Sequence, residues 1–318
     1  MAIETREPSE PEAPRSVLDG DGHVVTAAPD IPAEGLAALH RTMVVARRLD
    51  EKLALLQRQG TLPFHLPAHG HEAVGAAIAH ALSPQDWLFG GFRDLAALVG
   101  RGVPLERIAH QAFGSRQAPS KGRVLPAYQI HREFNIASAS AIGAAHLVHA
   151  TGVAWAAKLR SETTVALASF AGGAAASGEF HAALNFAGVF GVPAVFVCTN
   201  LASEPVAPHA GGYGLRGIRV DAADVLAMVE ALASAVAQAR GGQGATLVEA
   251  VMSRGANQDP VERFERYLRD RSSAAIDVQA LDREIEAAIE QASQAPGPDV
   301  STLFSDVWST PVSPSGEP

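Results

Sequence analysis

A glycine pair lies at a point in the chain where phosphate-binding sites are often built. In TVALASFAGGAAASGEF (164–180), an apolar run is followed by Gly172 and Gly173 and then by an amphipathic stretch. A strand that leads into a glycine turn and a helix N-terminus presents outward N–H groups, and the helix dipole favours an anion there. However, the segment 172–176 contains no Asp, Ser or Thr that could ligate a metal. The pattern therefore predicts a phosphate-binding turn without side-chain ligands.

Three histidines lie close together in FHLPAHGHE (64–72). Imidazoles at this spacing can hold a transition metal, which makes His65, His69 and His71 a candidate metal site. No Cys or acidic residue accompanies them at ligand spacing, which favours surface or helix-capping roles instead. The sequence leaves open whether this cluster binds anything.

Structural roles explain the other potentially reactive side chains. Cys198 lies in an apolar run, where a thiol acts as a small hydrophobic group rather than as a nucleophile. His146 and His149 are neighbours at helical spacing, and we expect them to line a subunit interface. No Ser-His-Asp or Cys-His pairing can be recognised from spacing.

The elements that must position these residues alternate along the chain. Apolar periodicity predicts helices over 34–60, 71–84, 94–102, 150–159, 178–191 and 280–294, and strands over 163–170, 192–200 and 245–252. GIRVDAADVLAMVEALASAVAQARGG (217–242) predicts a further strand, turn and helix that ends at glycine. This alternation predicts an α/β fold with a mostly parallel sheet and helices on both faces.

Composition and charge exclude several classes of function. Of the 318 residues, 47% are hydrophobic, so the chain can bury a large core. The net charge of −9, without a Lys and Arg cluster, argues against nucleic acid as a partner. No apolar run is long enough for a membrane span. A single cysteine is typical of a reducing cytoplasm rather than of a disulfide framework.

Tail composition sets the expected domain boundaries. The N-terminus MAIETREPSEPEAPRS is acidic and proline-rich and has no signal-peptide core, so we expect a flexible tail over 1–30. A single α/β domain is expected over 31–305, followed by a flexible tail over 306–318.

Small residues mark the predicted helix 178–191. Ala182, Ala183, Ala187 and Gly188 allow another backbone to approach closely. Tight packing inside the subunit and a helix–helix subunit interface both explain this pattern, and the sequence does not decide between them.

Seven stretches of the chain carry a resemblance to a known family. They are RRLDEKLALLQRQG (47–60), GHEAVGAAIAHALSPQDWLF (70–89), FRDLAALVGRG (92–102), SKGRVLPAY (120–128), GEFHAALNFAGVFGVPAVFVCTN (178–200), GGYGLRGIRVDAADV (211–225) and DPVERFERYLRD (259–270). In order and spacing they resemble the α subunit of the thiamine diphosphate-dependent decarboxylase component of 2-oxo acid dehydrogenases, nearest the branched-chain type. The resemblance implies a thiamine-diphosphate-binding α/β fold and a heterotetramer with a β subunit.

The resemblance also implies two side-chain ligands for the Mg²⁺ that holds the cofactor's diphosphate. In the family the turn reads Gly-Asp-Gly, and the Asp position corresponds to Gly172. The second ligand is the latter Asn of an Asn-Asn pair; here the pair corresponds to Asn200 and Leu201. Both side-chain ligands are therefore replaced, and we expect no metal and no bound cofactor.

Other family positions are altered too. A Tyr-Arg pair that holds the diphosphate in the family corresponds to Phe92 and Arg93. An active-site His corresponds to Tyr128, with His131 nearby but out of register, so these two are the remaining catalytic candidates. The stretch that contacts the aminopyrimidine in the family corresponds to Ala-Ile-Gly at 141–143.

Two family segments close to the cofactor are shortened or absent. After Leu201 the chain reaches GGYG (211–214) sooner than the family does. VMSRGANQDPVERF (251–264) leads directly to the next helix, without the family's His-rich loop.

Three functions remain. The favoured one is a degenerate subunit that lacks the Mg²⁺–thiamine diphosphate ligands and serves as a non-catalytic or repurposed partner in an α/β assembly. The second is a working decarboxylase α subunit acting on branched-chain 2-oxo acids or pyruvate. The third is an enzyme that uses the emptied cleft without thiamine. A β-type subunit or a second copy of the chain is the expected partner, and the substrate cannot be named.

Overall fold

A parallel sheet forms the centre of the molecule. The computed structural model describes residues 13–137, 144–201, 204–253, 258–269, 271, 276–303 and 305. The strands are β1 (Trp87–Phe89), β2 (Ile136–Ala137), β3 (Ala166–Ala171), β4 (Ala194–Asn200), β5 (Arg216–Asp221) and β6 (Thr246–Val251). They form a six-stranded sheet in the order β2-β1-β3-β4-β6-β5, and every neighbouring pair is parallel. The predicted α/β fold with a parallel sheet is confirmed.

Helices cover both faces of this sheet. They are α1 (Ala33–Arg58), α2 (Glu72–Ala81), α3 (Leu95–Gly100), α4 (Leu105–Phe113), α5 (Ala145–Leu159), α6 (Gly178–Phe190), α7 (Val225–Arg240), α8 (Pro260–Leu268) and α9 (Val278–Gln294). Successive residues of β4 enter two different cores, because side chains alternate between the faces of a strand. Val195 and Val197 join the core formed with α1, α2 and α7. Phe196 and Cys198 join the core formed with α5 and α6.

The strand register brings two predicted site positions together. Ala171 at the end of β3 pairs with Thr199 of β4. Gly172 and Asn200 follow directly, at the carboxyl ends of adjacent parallel strands, which is where ligands bind in open α/β sheets.

The N-terminal segment is more ordered than its composition predicts. Val17 and Leu18 are buried, and their backbone N–H groups each donate to Oδ2 of Asp224 over 2.6 Å. Oδ1 of Asp224 caps the first turn of α7. Within the tail expected over 1–30, Asp224 holds residues 17 and 18, and Arg15 exchanges backbone hydrogen bonds with Arg219 and Asp221. The expected domain boundaries stay a prediction. Residues 1–12 and 306–318 lie outside the described residues.

The small residues of α6 serve packing within the subunit. Ala183 and Ala187 are buried in the core shared with α5, and a Cβ on Gly188 would overlap the carbonyl of Tyr213. The outward faces of α5 and α6 instead carry large apolar side chains. We call this the α5–α6 apolar surface, formed by Trp155, Leu159, Phe186, Val189 and Phe190, in which Phe190 stacks on both Trp155 and Phe186.

Among the helices of the described residues, none combines the length and the apolarity that crossing a membrane requires.

Candidate functional site

A cleft of about 270 Å³ lies at the carboxyl end of β3. Its walls include His71, Phe92, Arg93, Asp94, His146 and Gly173. A second cavity of about 490 Å³ adjoins it and shares His71 and Arg93. Leu201 lines this second cavity. The structure thus brings Phe92, Arg93 and Gly173 to one cleft and Leu201 to its neighbour.

The glycine turn between β3 and α6 is a compact 3₁₀ helix, Gly172–Ala176. Ser177 follows it and caps α6, accepting a hydrogen bond from the N–H of Phe180. The φ angles of Gly172 and Gly173 are not positive, so the backbone conformation does not require glycine at either position. A Cβ on Gly172 would nevertheless overlap Oδ1 of Asn200, so the space beside this glycine is already filled.

Asn200 is turned into the protein rather than toward the cleft. Its side chain is buried, and Nδ2 donates to Oε1 of Glu249 over 2.8 Å and to the carbonyl of Glu204 over 2.9 Å. The buried carboxylate of Glu249 also pairs with Nε of Arg219 at 3.2 Å. Leu201 points its hydrocarbon side chain outward and is 56% exposed.

The two catalytic candidates lie in different surroundings. Tyr128 packs edge-on against Phe92, with ring centroids 5.1 Å apart, and so borders the cleft through that ring. His131 is fully buried, pairs with Oε1 of Gln129 at 2.8 Å, and is not part of the cleft wall. Burial, helped by the charge of Arg107, lowers the pKa of His131 to about 4. Neither candidate is tested by these contacts, and both remain predictions.

A polar cluster in the cleft was not predicted from the sequence. Oδ2 of Asp94 accepts from the N–H of Gly91 over 2.6 Å and from the hydroxyl of Ser169. The carbonyl of Ser169 accepts from Nε2 of His146 over 2.7 Å. Burial raises the pKa of Asp94 and lowers the pKa values of His71 and His146. The cluster therefore places desolvated polar groups beside the cleft.

Three separate elements supply this cluster, which explains why no local spacing revealed it. His146 was expected at a subunit interface, and it is buried on α5 instead; its neighbour His149 is exposed. The only local signal was the position of Asp94, immediately after Phe92 and Arg93.

The three histidines of the stretch 64–72 contact different parts of the protein. His65 pairs with Asp50 at 2.8 Å, His69 lies 3.6 Å from Asp259, and His71 lines the cleft. Their acidic partners come from distant parts of the chain. Within the described residues, no group of three or more His, Cys, Asp or Glu side chains is arranged to hold a metal ion.

Three segments that correspond to cofactor-contacting parts of the family lie wholly or partly outside the described residues. Residues 141–143, 202–203 and 254–257 are not among the described residues. The predictions for the aminopyrimidine contact and for the two shortened loops therefore stay predictions.

Comparison with known proteins identifies the family. The model of the dehydrogenase E1 component matches residues 40–257. The chain is 33% identical to 3-methyl-2-oxobutanoate dehydrogenase subunit alpha of Mycobacterium tuberculosis, over 88% of this chain and 84% of that protein. It is 30% identical to 2-oxoisovalerate dehydrogenase subunit alpha 2, mitochondrial, of Arabidopsis thaliana, over 93% of this chain and 72% of that protein. It is 31% identical to pyruvate dehydrogenase E1 component subunit alpha of Bacillus cereus, over 91% of this chain and 86% of that protein. This chain therefore belongs to the dehydrogenase E1 component family, among the α subunits of 2-oxo acid dehydrogenases.

Proposed function

We propose that this chain is an E1 α-type subunit that has lost the ligands for Mg²⁺ and thiamine diphosphate and acts as a non-catalytic or repurposed partner in an α/β assembly. The observation that carries the proposal is the environment of positions 172, 200 and 201. Gly172 has no side chain, the amide of Asn200 is bonded to Glu249, and Leu201 is a hydrocarbon.

These residues do not fit the cofactor's metal. Mg²⁺ requires hard oxygen ligands in a near-octahedral array, typically carboxylate and phosphate oxygens. Without the cation, a diphosphate is a poorly neutralised multivalent anion, and its desolvation is costly. Arg93 alone remains to meet that charge among the positions that the family resemblance assigns to the diphosphate or its metal. We therefore derive no reaction step through thiamine diphosphate.

The α5–α6 apolar surface supports assembly with another subunit. Leu159 and Val189 are each at least 70% exposed, and contiguous apolar area on a subunit surface marks a protein contact. We propose a β-type subunit as the partner, with a second copy of this chain as the alternative. Cys198 is free and is the single cysteine of the chain, and we propose a reducing compartment such as the cytoplasm.

A working decarboxylase subunit is the second candidate. Arg93 still lines the cleft, and the similar proteins from Mycobacterium tuberculosis and Bacillus cereus are both named as dehydrogenase α subunits. This candidate requires the cofactor to bind without either side-chain ligand.

Calorimetric titration with thiamine diphosphate, with and without Mg²⁺, separates the two candidates. The chain is titrated alone and together with a β-type subunit, and its melting temperature is followed in parallel. A ligand present at a hundred times its Kd stabilises a protein by about 2.7 kcal/mol, which is easily detected. We expect no Mg²⁺-dependent heat and no shift for the native sequence.

The matched variant combines Gly172→Asp with Leu201→Asn. It restores two oxygen ligands once Asn200 has moved aside to admit a side chain at position 172. We then expect it to gain measurable Mg²⁺-dependent affinity, whereas each single change should not. If the native chain binds the cofactor as tightly as the double variant, the proposal is wrong and the decarboxylase function stands.

A further inference from the structure

The further inference concerns the edge of the sheet at β5. This strand is the last in the sheet order, so only one of its sides is paired with another strand, β6. On the other side, the N–H of Arg15 donates to the carbonyl of Arg219, and the carbonyl of Arg15 accepts from the N–H of Asp221, each over 2.9 Å. The segment around Arg15 therefore runs parallel to β5 and covers the carboxyl end of its outer side.

The amino-terminal half of this outer side is open. Backbone groups of successive strand residues alternate between the two sides, so those of Gly217 face the same side as the carbonyl of Arg219. Gly217 is exposed, and within the described ranges neither its N–H nor its C=O has a partner on that side. An open strand edge is a template for pairing with another chain, and native proteins normally cover it.

A groove of about 610 Å³ lies beside this part of the edge. Its walls include the apolar side chain of Ile218, the carboxylate of Glu230 on α7, and two arginines, Arg15 and Arg216. Both arginines are exposed, and neither has an ion-pair partner in the part of the chain that the structure describes. Because the chain as a whole carries a net charge of −9, two such cations in one groove favour an acidic occupant.

The chain itself supplies an acidic segment at this place. Residues 1–12 read MAIETREPSEPE, in which four glutamates and one arginine give a net side-chain charge of −3. The described part of the chain begins at Ala13, and Pro14 already lines the groove. The acidic segment is therefore tethered beside the groove, which gives it a high effective concentration there.

The strand register brings two of these glutamates to the unpaired guanidinium. The parallel pairing places Arg15 opposite Val220. Continued in the same direction, it brings position 11 opposite Arg216, with Glu10 and Glu12 on either side of that position. A carboxylate that meets a guanidinium forms a charge-assisted hydrogen bond, which gives the contact a defined geometry.

We propose that residues 8–12 occupy the groove of their own subunit, where Glu10 and Glu12 pair with Arg216 and the backbone covers the N–H of Gly217. The segment closes the open edge of the sheet. Since its prolines carry no N–H, it offers a further strand little to pair with. This role is independent of the cofactor and of the cleft at the end of β3.

Amide exchange of Gly217, followed by NMR in the full-length chain, tests the proposal. Glu10→Lys combined with Glu12→Lys should make this amide exchange roughly threefold to tenfold faster, the effect of losing one or two exposed ion pairs. Glu4→Lys combined with Glu7→Lys is the matched control, because it makes the same charge change outside the groove and should leave the rate unchanged. Equal rates in the native chain and in the Glu10 and Glu12 variant would overturn the proposal.

A charge swap assigns the contact to Arg216. Arg216→Glu alone should also speed the exchange of Gly217, after correction for the intrinsic rate of the altered sequence. Adding Glu10→Lys and Glu12→Lys to this variant restores opposite charges, so the rate should return close to the native value. A combined variant that exchanges as fast as its parents would contradict the pairing.

Protein concentration separates the segment from other occupants. The proposed contact lies within one chain, so the protection of Gly217 should not change when the purified native chain is diluted. Protection that rises with concentration would assign the edge to a second copy of the chain and overturn the proposal. An amide that exchanges at its unstructured rate in the native chain would show an open edge and overturn it as well.

Discussion

Asn200 occupies the space directly beside Gly172. A Cβ built on Gly172 would fall inside the contact radius of Oδ1 of Asn200, while Nδ2 of the same amide is held by Glu249 on its other side. The carboxyl ends of β3 and β4 are thus packed against each other where a site would otherwise open. A side chain at position 172 and the inward position of Asn200 exclude each other.

The first prediction follows from this overlap. Gly172→Ala should lower the free energy of unfolding by about 1–3 kcal/mol, because overpacking against a held amide forces a shift. Gly173→Ala is the matched control, since a Cβ there meets nothing within 4 Å and neither φ is positive. The control should be neutral or stabilising by up to about 1 kcal/mol. Urea denaturation measures the free energy of unfolding of both variants. Equal changes in the two variants would contradict the packing around Gly172.

A double-mutant cycle assigns the overlap to the amide. In a chain that already carries Asn200→Ala, the additional cost of Gly172→Ala should fall by at least about 0.5 kcal/mol. Strict additivity of the two changes would show that another group resists the new Cβ.

The second prediction concerns the buried carboxylate beneath this junction. Glu249 accepts from the N–H groups of Val206 and Ala207 and pairs with Arg219. Glu249→Ala should cost about 3–5 kcal/mol of unfolding free energy, because it leaves Arg219 without this partner in a mostly buried place. Glu262→Ala is the control: the Glu262 side chain is 63% exposed, and its partner Arg266 keeps a hydrogen bond to the carbonyl of Gly20, so the expected cost is about 0.5 kcal/mol or less. Costs of similar size would count against the buried network.

The third prediction concerns the stability of the fold at low pH. His131 is fully buried, and its pKa falls to about 4 from the ordinary value of 6.5. The unfolded chain therefore binds more protons than the native one between these two values. The stability that depends on neutral His131 is complete above pH 6.5 and is lost progressively as the pH falls toward 4, by up to about 3 kcal/mol.

His131→Phe isolates this contribution from those of other groups. Urea denaturation from pH 7.5 to 4.5 should show a shallower loss of stability in the variant than in the native chain. Parallel pH profiles would mean that His131 titrates normally in the folded protein.

The fourth prediction concerns assembly through the α5–α6 apolar surface. Val189→Glu should weaken association with a β-type subunit or with a second copy, because it places a charge in the contact. Val300→Glu is the control, since Val300 is 83% exposed and lies far along the chain in a separate 3₁₀ helix. Light scattering measures the association of both variants with a β-type subunit and with themselves. A native chain that stays monomeric and ignores a β-type subunit would remove the basis for this prediction.

The long, periodic elements were predictable because each repeats one local pattern many times. The prediction for 34–60 corresponds to α1 at Ala33–Arg58, and that for 178–191 corresponds to α6 at Gly178–Phe190. The strands β1 and β2 were not predicted, since three and two residues are too few to show a period. The start of α5 was placed at 150 rather than at Ala145, because glycine and small residues blur its first turns.

The family resemblance supplied the positions of the candidate site, and their assignment as site residues stays a prediction. Phe92, Arg93 and Gly173 do share one cleft. The contact between Asp94, Ser169 and His146 could not be inferred from spacing, since it exists only after three elements have packed. The burial of His131 likewise depends on tertiary packing that its local sequence does not reveal.

The contact between Asp224 and Leu18 can form only after most of the chain has been synthesised. The carboxylate of Asp224 holds the N–H of Leu18, which lies 206 positions earlier in the chain. At about 5–20 residues per second, a ribosome needs roughly 10–40 s to make the intervening segment. During that interval Val17 and Leu18 have emerged without their final partner, and their apolar side chains are open to chaperones. The N-terminal segment, although made first, therefore cannot reach its place before synthesis has passed Asp224.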